Sequence, residues 1–264
     1  MRHCSLALFP LLFLSLMARA AAAPDPAALM EKSRQTTLVK GSRFQFTLEL
    51  RSSNGTVRVR KVSSITRLQP NGADNSRVTR FDFPADAKGL ATLLIEHGDR
   101  ADDMWVYVPA IKKTRRLVAE GKRDSFMGTV LSYGDVIGHR PTKWSHKIVS
   151  EGGWEDHRCW MVESLPIDEP TRSESGYSKR LSCIDADTAF NWKMDVWDLE
   201  GKPLKSIMNR KLKPVPEQPG TFVAYEIEAL NLQSGEQSLI TIQNFQFVPN
   251  VPDAEFKPNV LGDD

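Results

Sequence analysis

Apolar and polar residues alternate along most of this chain. Phe44, Phe46, Leu48 and Leu50 are separated by Gln45, Thr47 and Glu49, the period of a strand with one greasy and one wet face. Ser53-Asn54-Gly55 supplies a turn, and Val57-Arg58-Val59-Arg60 resumes the alternation, so the two valines are expected to keep the apolar face of a hairpin. Strand-like runs follow at Ser64–Leu68, Val78–Phe83, Ala91–Glu96, Met104–Val108, Thr114–Val118, His146–Ser150, Arg158–Glu163, Lys179–Asp185, Phe190–Asp198, Leu204–Arg210, Phe222–Leu230 and Ser238–Phe247. Turn chemistry separates many of them, as at Asn71-Gly72, Gly152-Gly153 and Ser234-Gly235. One stretch reads as helix. Asp25 can cap it, Pro26 suits its first position, and Ala27 to Lys32 propagate it until Thr36-Thr37 and Gly41 end the pattern. Many short strands without βαβ alternation predict a mainly β fold with one large antiparallel sheet.

A sheet of that size curls, and curling makes a concave side. The residues expected to face inward are Phe44, Phe46, Leu48, Leu50, Val57, Val59, Trp105, Tyr107, Phe190, Trp192 and Met194. Two readings stay open: helices plug the concavity and these residues are plain core, or they line a cavity for an apolar ligand. The segment Asp124–Val136 has neither period and carries Phe126 and Met127 beside Gly128. It reads as a short helix and loop over the mouth of the sheet, and a moving lid and a fixed plug have the same sequence signature. Phe126 and Met127 join the inward set in the cavity reading.

The first 23 residues follow another pattern. Arg2 and His3 precede an apolar run from Leu6 to Met17, and small residues follow from Ala18. This is the layout of a secretory signal peptide, with cleavage expected after Ala20 or Ala22, and the run is short for a bilayer span. Residues 24–264 then form a single exported domain. Arg2 and Arg19 fall within the leader, so removing it takes away the whole formal charge of +2. Nucleic-acid binding, which needs an excess of Lys and Arg, loses its electrostatic basis. The mature chain keeps Cys159 and Cys183, an even count in an oxidising compartment. One disulfide is expected, closing a loop of about 25 residues and contributing about 3 kcal/mol.

Catalytic patterns are absent from the sequence. His97, His139, His146 and His157 form no H-x-x-x-H pair, no G-x-S-x-G elbow occurs, and Asp185 and Asp187 have turn spacing. We expect no metal, no cofactor and no enzyme. Arg115 and Arg116 close a strand beside Trp105 and Tyr107, where either could meet a lipid head group at a cavity rim or be a solvated strand-end charge.

Three segments carry a family resemblance. These are Phe81-Asp82-Phe83-Pro84-Ala85-Asp86-Ala87-Lys88-Gly89, the W-x-Y-x-P-A-x-K-K-x-R-R run from Trp105 to Arg116, and Asp124-Ser125-Phe126-Met127-Gly128. In that order and spacing the chain resembles the outer membrane lipoprotein-sorting, LolA-like family. Looser similarity runs through Trp197–Lys205 to Val251–Phe256. The Cys159/Cys183 pair and Ser173-Glu174-Ser175-Gly176 depart from the family pattern. The resemblance implies an open antiparallel half-barrel with an N-terminal helix and short helices in its concave face. It implies a monomeric periplasmic carrier of lipid or lipoprotein acyl chains, loaded by an inner-membrane transporter and unloaded to an outer-membrane acceptor. A sensor or interaction module on the same scaffold is the alternative it allows.

Overall fold

The computed structural model describes residues 23–262; the leader expected at residues 1–23 therefore lies almost wholly outside the described residues. Helix α1 (Pro26–Gln35) begins where the sequence places it, with the Asp25 carboxylate accepting from the Ala28 N–H at 2.7 Å. Thirteen strands follow: β1 (Gly41–Arg51), β2 (Val57–Leu68), β3 (Asn75–Phe83), β4 (Ala91–Ile95), β5 (Asp103–Val108), β6 (Lys113–Leu117), β7 (Trp144–Trp154), β8 (His157–Pro166), β9 (Lys179–Asp185), β10 (Asn191–Trp197), β11 (Pro203–Pro214), β12 (Phe222–Asn231) and β13 (Gln237–Phe247). Two more short helices are present, α2 (Tyr133–Ile137) and α3 (Glu169–Ser175). The runs Val57–Arg60 and Ser64–Leu68 are one strand, β2. Its outward row opens on Val57 and Val59, whereas its inward row runs Arg58, Arg60, Val62, Ser64 and Thr66; this mostly polar inner row hides the continuity from a hydrophobicity pattern.

All strands belong to one sheet in the order β6-β5-β4-β3-β2-β1-β13-β12-β11-β10-β9-β8-β7, every neighbour antiparallel. Chain neighbours pair all the way round, β13 returns to β1, and the circle is left open between β6 and β7. This is the mainly β antiparallel sheet that the alternation predicts, in the open half-barrel form that the resemblance implies. Register shifts interrupt the pairings β1/β13, β2/β3, β7/β8, β9/β10 and β10/β11. Such bulges bend strands and sharpen their twist, which helps a sheet this wide to curl.

Both faces of the sheet are covered. On the inner face α1 packs Leu29 and Met30 against Val162 and Ile184 of β8 and β9, and the link between β6 and β7 fills much of the rest. On the outer face the closing segment lays Val251, Phe256 and Leu261 over Val78, Ala91 and Leu93. Strand β4 is therefore buried on both sides, and its sequence, Ala-Thr-Leu-Leu-Ile, does not alternate. Cys159 and Cys183 form the expected disulfide between β8 and β9, with their Cα atoms 5.2 Å apart.

Candidate functional site

The inner wall is built where β13, β1, β2 and β3 bring Ile240, Leu48, Phe46, Val62 and Phe81 onto one face. Phe46, Leu48 and Leu50 are buried there, with Phe44 half-buried at the bulge where β1 meets β13. Met194 of β10 faces the same hollow from the other arm, against Ile207, Ala229 and Leu131. Phe126 and Met127 stand opposite, on the segment that fills it. Phe44, Phe46, Leu48, Leu50, Phe126, Met127 and Met194 are the part of the expected inward set that the fold brings together.

The fold places the others elsewhere. Pairing sets Val57 opposite Arg51 and Val59 opposite Glu49, on the outer face, where they are 44 % and 38 % exposed. The loop Ser52–Thr56 fixes the register of the hairpin, and its length puts Arg58 and Arg60, not the valines, beside Leu50 and Leu48. Trp105 and Tyr107 pair with Leu93 and Ala91 and lie under the closing segment on the outer face. Trp192 and Phe190 pack on the disulfide at the outer face, because the bulge between Asn191 and Lys193 turns the indole outward. Its Nε1–H donates to Asp185 at 2.8 Å, and its ring stacks on His157. Arg115 and Arg116 point to opposite faces and cannot share a rim. Arg115 is beside Val106 at the inner edge, whereas Arg116 pairs with Asp103 and lies over Trp105 outside.

Residues 118–143, which join the two free edges, form the plug of the hollow. Phe126, Leu131 and Tyr133 are buried on the inner wall, and Phe126 packs edge-on against Tyr133. The turn between them is tight: the Phe126 N–H donates to the Leu131 carbonyl at 2.7 Å, and Met127 and Gly128 both take positive φ. Gly128 accommodates this without strain. Arg60 donates to the Met127 carbonyl, and the Val130 N–H donates to the Ser238 hydroxyl at 3.0 Å. Polar contacts thus tie the plug to both arms.

Asp135 makes the most contacts of these ties, and hydrophobic patterning alone does not single it out. It closes a capping box with Ser132 at the start of α2, a motif that is visible in the spacing Ser132-x-x-Asp135. Its carboxylate also accepts from the Tyr177 hydroxyl at 2.8 Å, from Lys205 Nζ at 2.9 Å and from His139 Nε2 at 3.4 Å. Lys205 donates as well to the Val130 carbonyl at 2.9 Å. Burial pushes the Asp135 pKa up, but the His139 hydrogen bond and the Lys205 charge outweigh it and hold the group below the ordinary carboxylate value. Burial, then the neighbouring Asp135 charge, raises Tyr177, and burial lowers His139. Arg180 stacks on Trp144 at 3.7 Å beside this network, and burial lowers its pKa to about 9.

The seam between β6 and β7 is bridged by charges in place of a ladder. Arg34 of α1 reaches Glu96 at 2.8 Å, and Lys122 reaches Asp102 at 2.9 Å and Glu174 of α3 at 3.1 Å. A polar cleft of about 250 Å³ opens here, lined by Glu96, His97, Lys122, His139, Arg140 and Glu174. Burial raises the Glu96 pKa to about 7 against the opposing charges of Arg34 and Arg140. Helix α3 was not expected from the sequence, although Asp168, which caps it, and Gly176, which ends it in the left-handed region, are both signals.

Among the described residues no group of three or more His, Cys, Asp or Glu is placed to hold a metal, and no helix is long and apolar enough to cross a membrane. A family model described as "-like: Uncharacterized protein" matches residues 73–263. No curated protein matches the chain. Among solved structures, a domain from Vibrio parahaemolyticus named for outer membrane lipoprotein sorting is 22% identical with a TM-score of 0.81, over 90% of this chain and 98% of that one. A DUF1329 family protein from Desulfovibrio piger is also 22% identical with a TM-score of 0.81, over 90% and 100% of the two chains. A LolA superfamily protein from Nitrosomonas europaea is 17% identical with a TM-score of 0.67, over 89% and 98%. The half-barrel is the fold they share.

Proposed function

The chain belongs to the family whose model spans residues 73–263 and has the LolA-like fold, and from this premise we propose that it is a periplasmic carrier-type domain that binds acyl chains of lipids or lipoproteins. One observation carries the reading. The apolar inner wall is covered by an inserted segment that takes part in no strand of the sheet, so the cover can leave without unpairing a ladder. Phe126, Met127 and Leu131 then occupy the place an acyl chain takes when the plug lifts. The lifted plug gives up part of its own apolar burial, which offsets part of what the bound chain gains. Covering about 300 Å² of acyl chain contributes about 7 kcal/mol at about 25 cal/mol per Å², enough for micromolar affinity while still permitting release. Binding and release need no bond chemistry, which accords with a carrier that is not an enzyme.

The names of two of the similar structures, lipoprotein sorting and LolA, support the same class of cargo and a periplasmic setting. Loading by an inner-membrane transporter and delivery to an outer-membrane acceptor complete the proposed cycle. Native mass spectrometry of protein purified without detergent, with displacement of a fluorescent fatty acid, tests it. Bound lipid and saturable displacement are expected. A lipid-free mass together with no probe uptake overturns carriage, and a stable protein partner under those conditions identifies an interaction module instead.

A further inference from the structure

The inner wall is not apolar throughout. One rung runs Ser64, Thr79 and Thr92 across β2, β3 and β4, and all three are buried, Thr92 completely. Ser64 donates to the Val78 carbonyl at 3.1 Å and lies 3.5 Å from the Thr79 hydroxyl, whereas the Thr92 Oγ1 is buried with no hydrogen-bond partner. In the next rung Arg77 stands between Thr66 and Leu94 on the same face. It is half-buried, and among the described residues it donates no hydrogen bond and forms no ion pair. Burial lowers its pKa, opposed by the charge of Glu96. Glu96 itself is engaged by Arg34 at 2.8 Å and is 4.0 Å from Arg140.

Buried hydroxyls are ordinarily bonded, and a half-buried guanidinium without a protein partner keeps its donors free for a ligand. A guanidinium and a hydroxyl left without partners on neighbouring rungs of a binding wall are complementary to an anion with several acceptor oxygens. We propose that Arg77 and Thr92, with Thr79 between their strands, form an internal phosphate site that takes the phosphate head of a lipid whose chain lies along Phe46 and Leu48. This rests on the acyl-chain reading above and adds the class of head group. The Arg77 fork supplies two donors and Thr92 a third.

The test compares oleoyl lysophosphatidate with monooleoylglycerol, which share a chain and differ in the phosphate, and inorganic phosphate alone, by displacement of a fluorescent fatty acid and by calorimetry. The wild-type chain is expected to prefer the lysophosphatidate by about tenfold or more, the range of a charged hydrogen bond. Arg77→Met should erase the preference and leave monooleoylglycerol affinity within about twofold, Arg77→Lys should keep part of it, and Thr92→Val should lower it without loss of melting temperature. If Arg77→Met fails to fold, Thr92→Val decides alone. Equal affinity for the two lipids in the wild type, or a preference that survives the substitutions, overturns the site. Failure of both lipids to bind overturns the carrier reading; saturable inorganic phosphate binding that Arg77→Met or Thr92→Val weakens then still upholds the site, and its absence removes that too.

Discussion

The two covers of the sheet are held in different ways. The outer cover, residues 251–262, seats Val251, Phe256 and Leu261 on an apolar patch, and its ion pairs, Arg43 with Glu255 and Arg67 with Asp253, sit at the solvent edge. The inner cover also buries apolar side chains, but its principal tie is an ion pair inside the protein: the side chains of Asp135 and Lys205 are 2% and 7% exposed. Apolar packing with exposed pairs is ordinary core construction. A buried ion pair contributes little net stability, because desolvation offsets attraction, yet it is costly to leave half-made. It fixes one seat for the plug without making that seat deep. This is the balance a removable cover requires, and it accords with the inner face as the working side of the proposed carrier.

The comparison breaks most directly at Lys205. Lys205→Met strands the Asp135 charge and should destabilise the fold by about 3–5 kcal/mol, and Asp135→Asn in the same chain should recover at least half, as read by urea unfolding. Additive losses would mean that the pair is not a coupled tie. Next come two truncations that should cost about 3 kcal/mol each and differ in function. Leu48→Ala on the inner wall should change fatty-acid affinity severalfold, whereas Phe256→Ala on the outer patch should leave it within about twofold. Identical binding effects would erase the distinction between the faces.

Acidity sharpens the contrast further. The raised Glu96 pKa means that the native state holds a proton between pH 4.5 and about 7 that the unfolded chain has lost. Its contribution is therefore full below pH 4.5 and disappears as pH rises through about 7, a loss of up to about 3 kcal/mol. Asp135 works in the opposite sense: its lowered pKa makes its contribution full above the ordinary carboxylate range and lost as pH falls below it. Glu96→Gln should flatten the stability profile between pH 4.5 and 7 and leave the acid limb, which chemical denaturation at stepped pH resolves. The smallest effect is expected at the rim, where Arg43→Ala should cost less than about 1 kcal/mol.

Much of the architecture is legible in the sequence because it depends on local chemistry. The Asp25 cap and Pro26 mark α1, paired turns mark most strands, and the two cysteines outside the expected leader mark the disulfide. The facing of individual side chains is harder. Val57 and Val59 point outward because the loop Ser52–Thr56 sets their register, and hydrophobicity carries no record of it. Trp105 and Tyr107 look like cavity residues until the closing segment, far along the chain, is seen to cover them. Trp192 is turned by a single bulge. The tie at Asp135 joins Tyr177 and Lys205 from distant strands, so only its local half, the capping box, can be read beforehand.

Hydrogen exchange followed by mass spectrometry, with and without a bound fatty acid, tests the central claim most directly. The account predicts that ligand strips protection from amides in residues 124–137 while those in residues 251–261 keep theirs. Ligand bound with protection unchanged in residues 124–137, or lost from the outer cover instead, would contradict it.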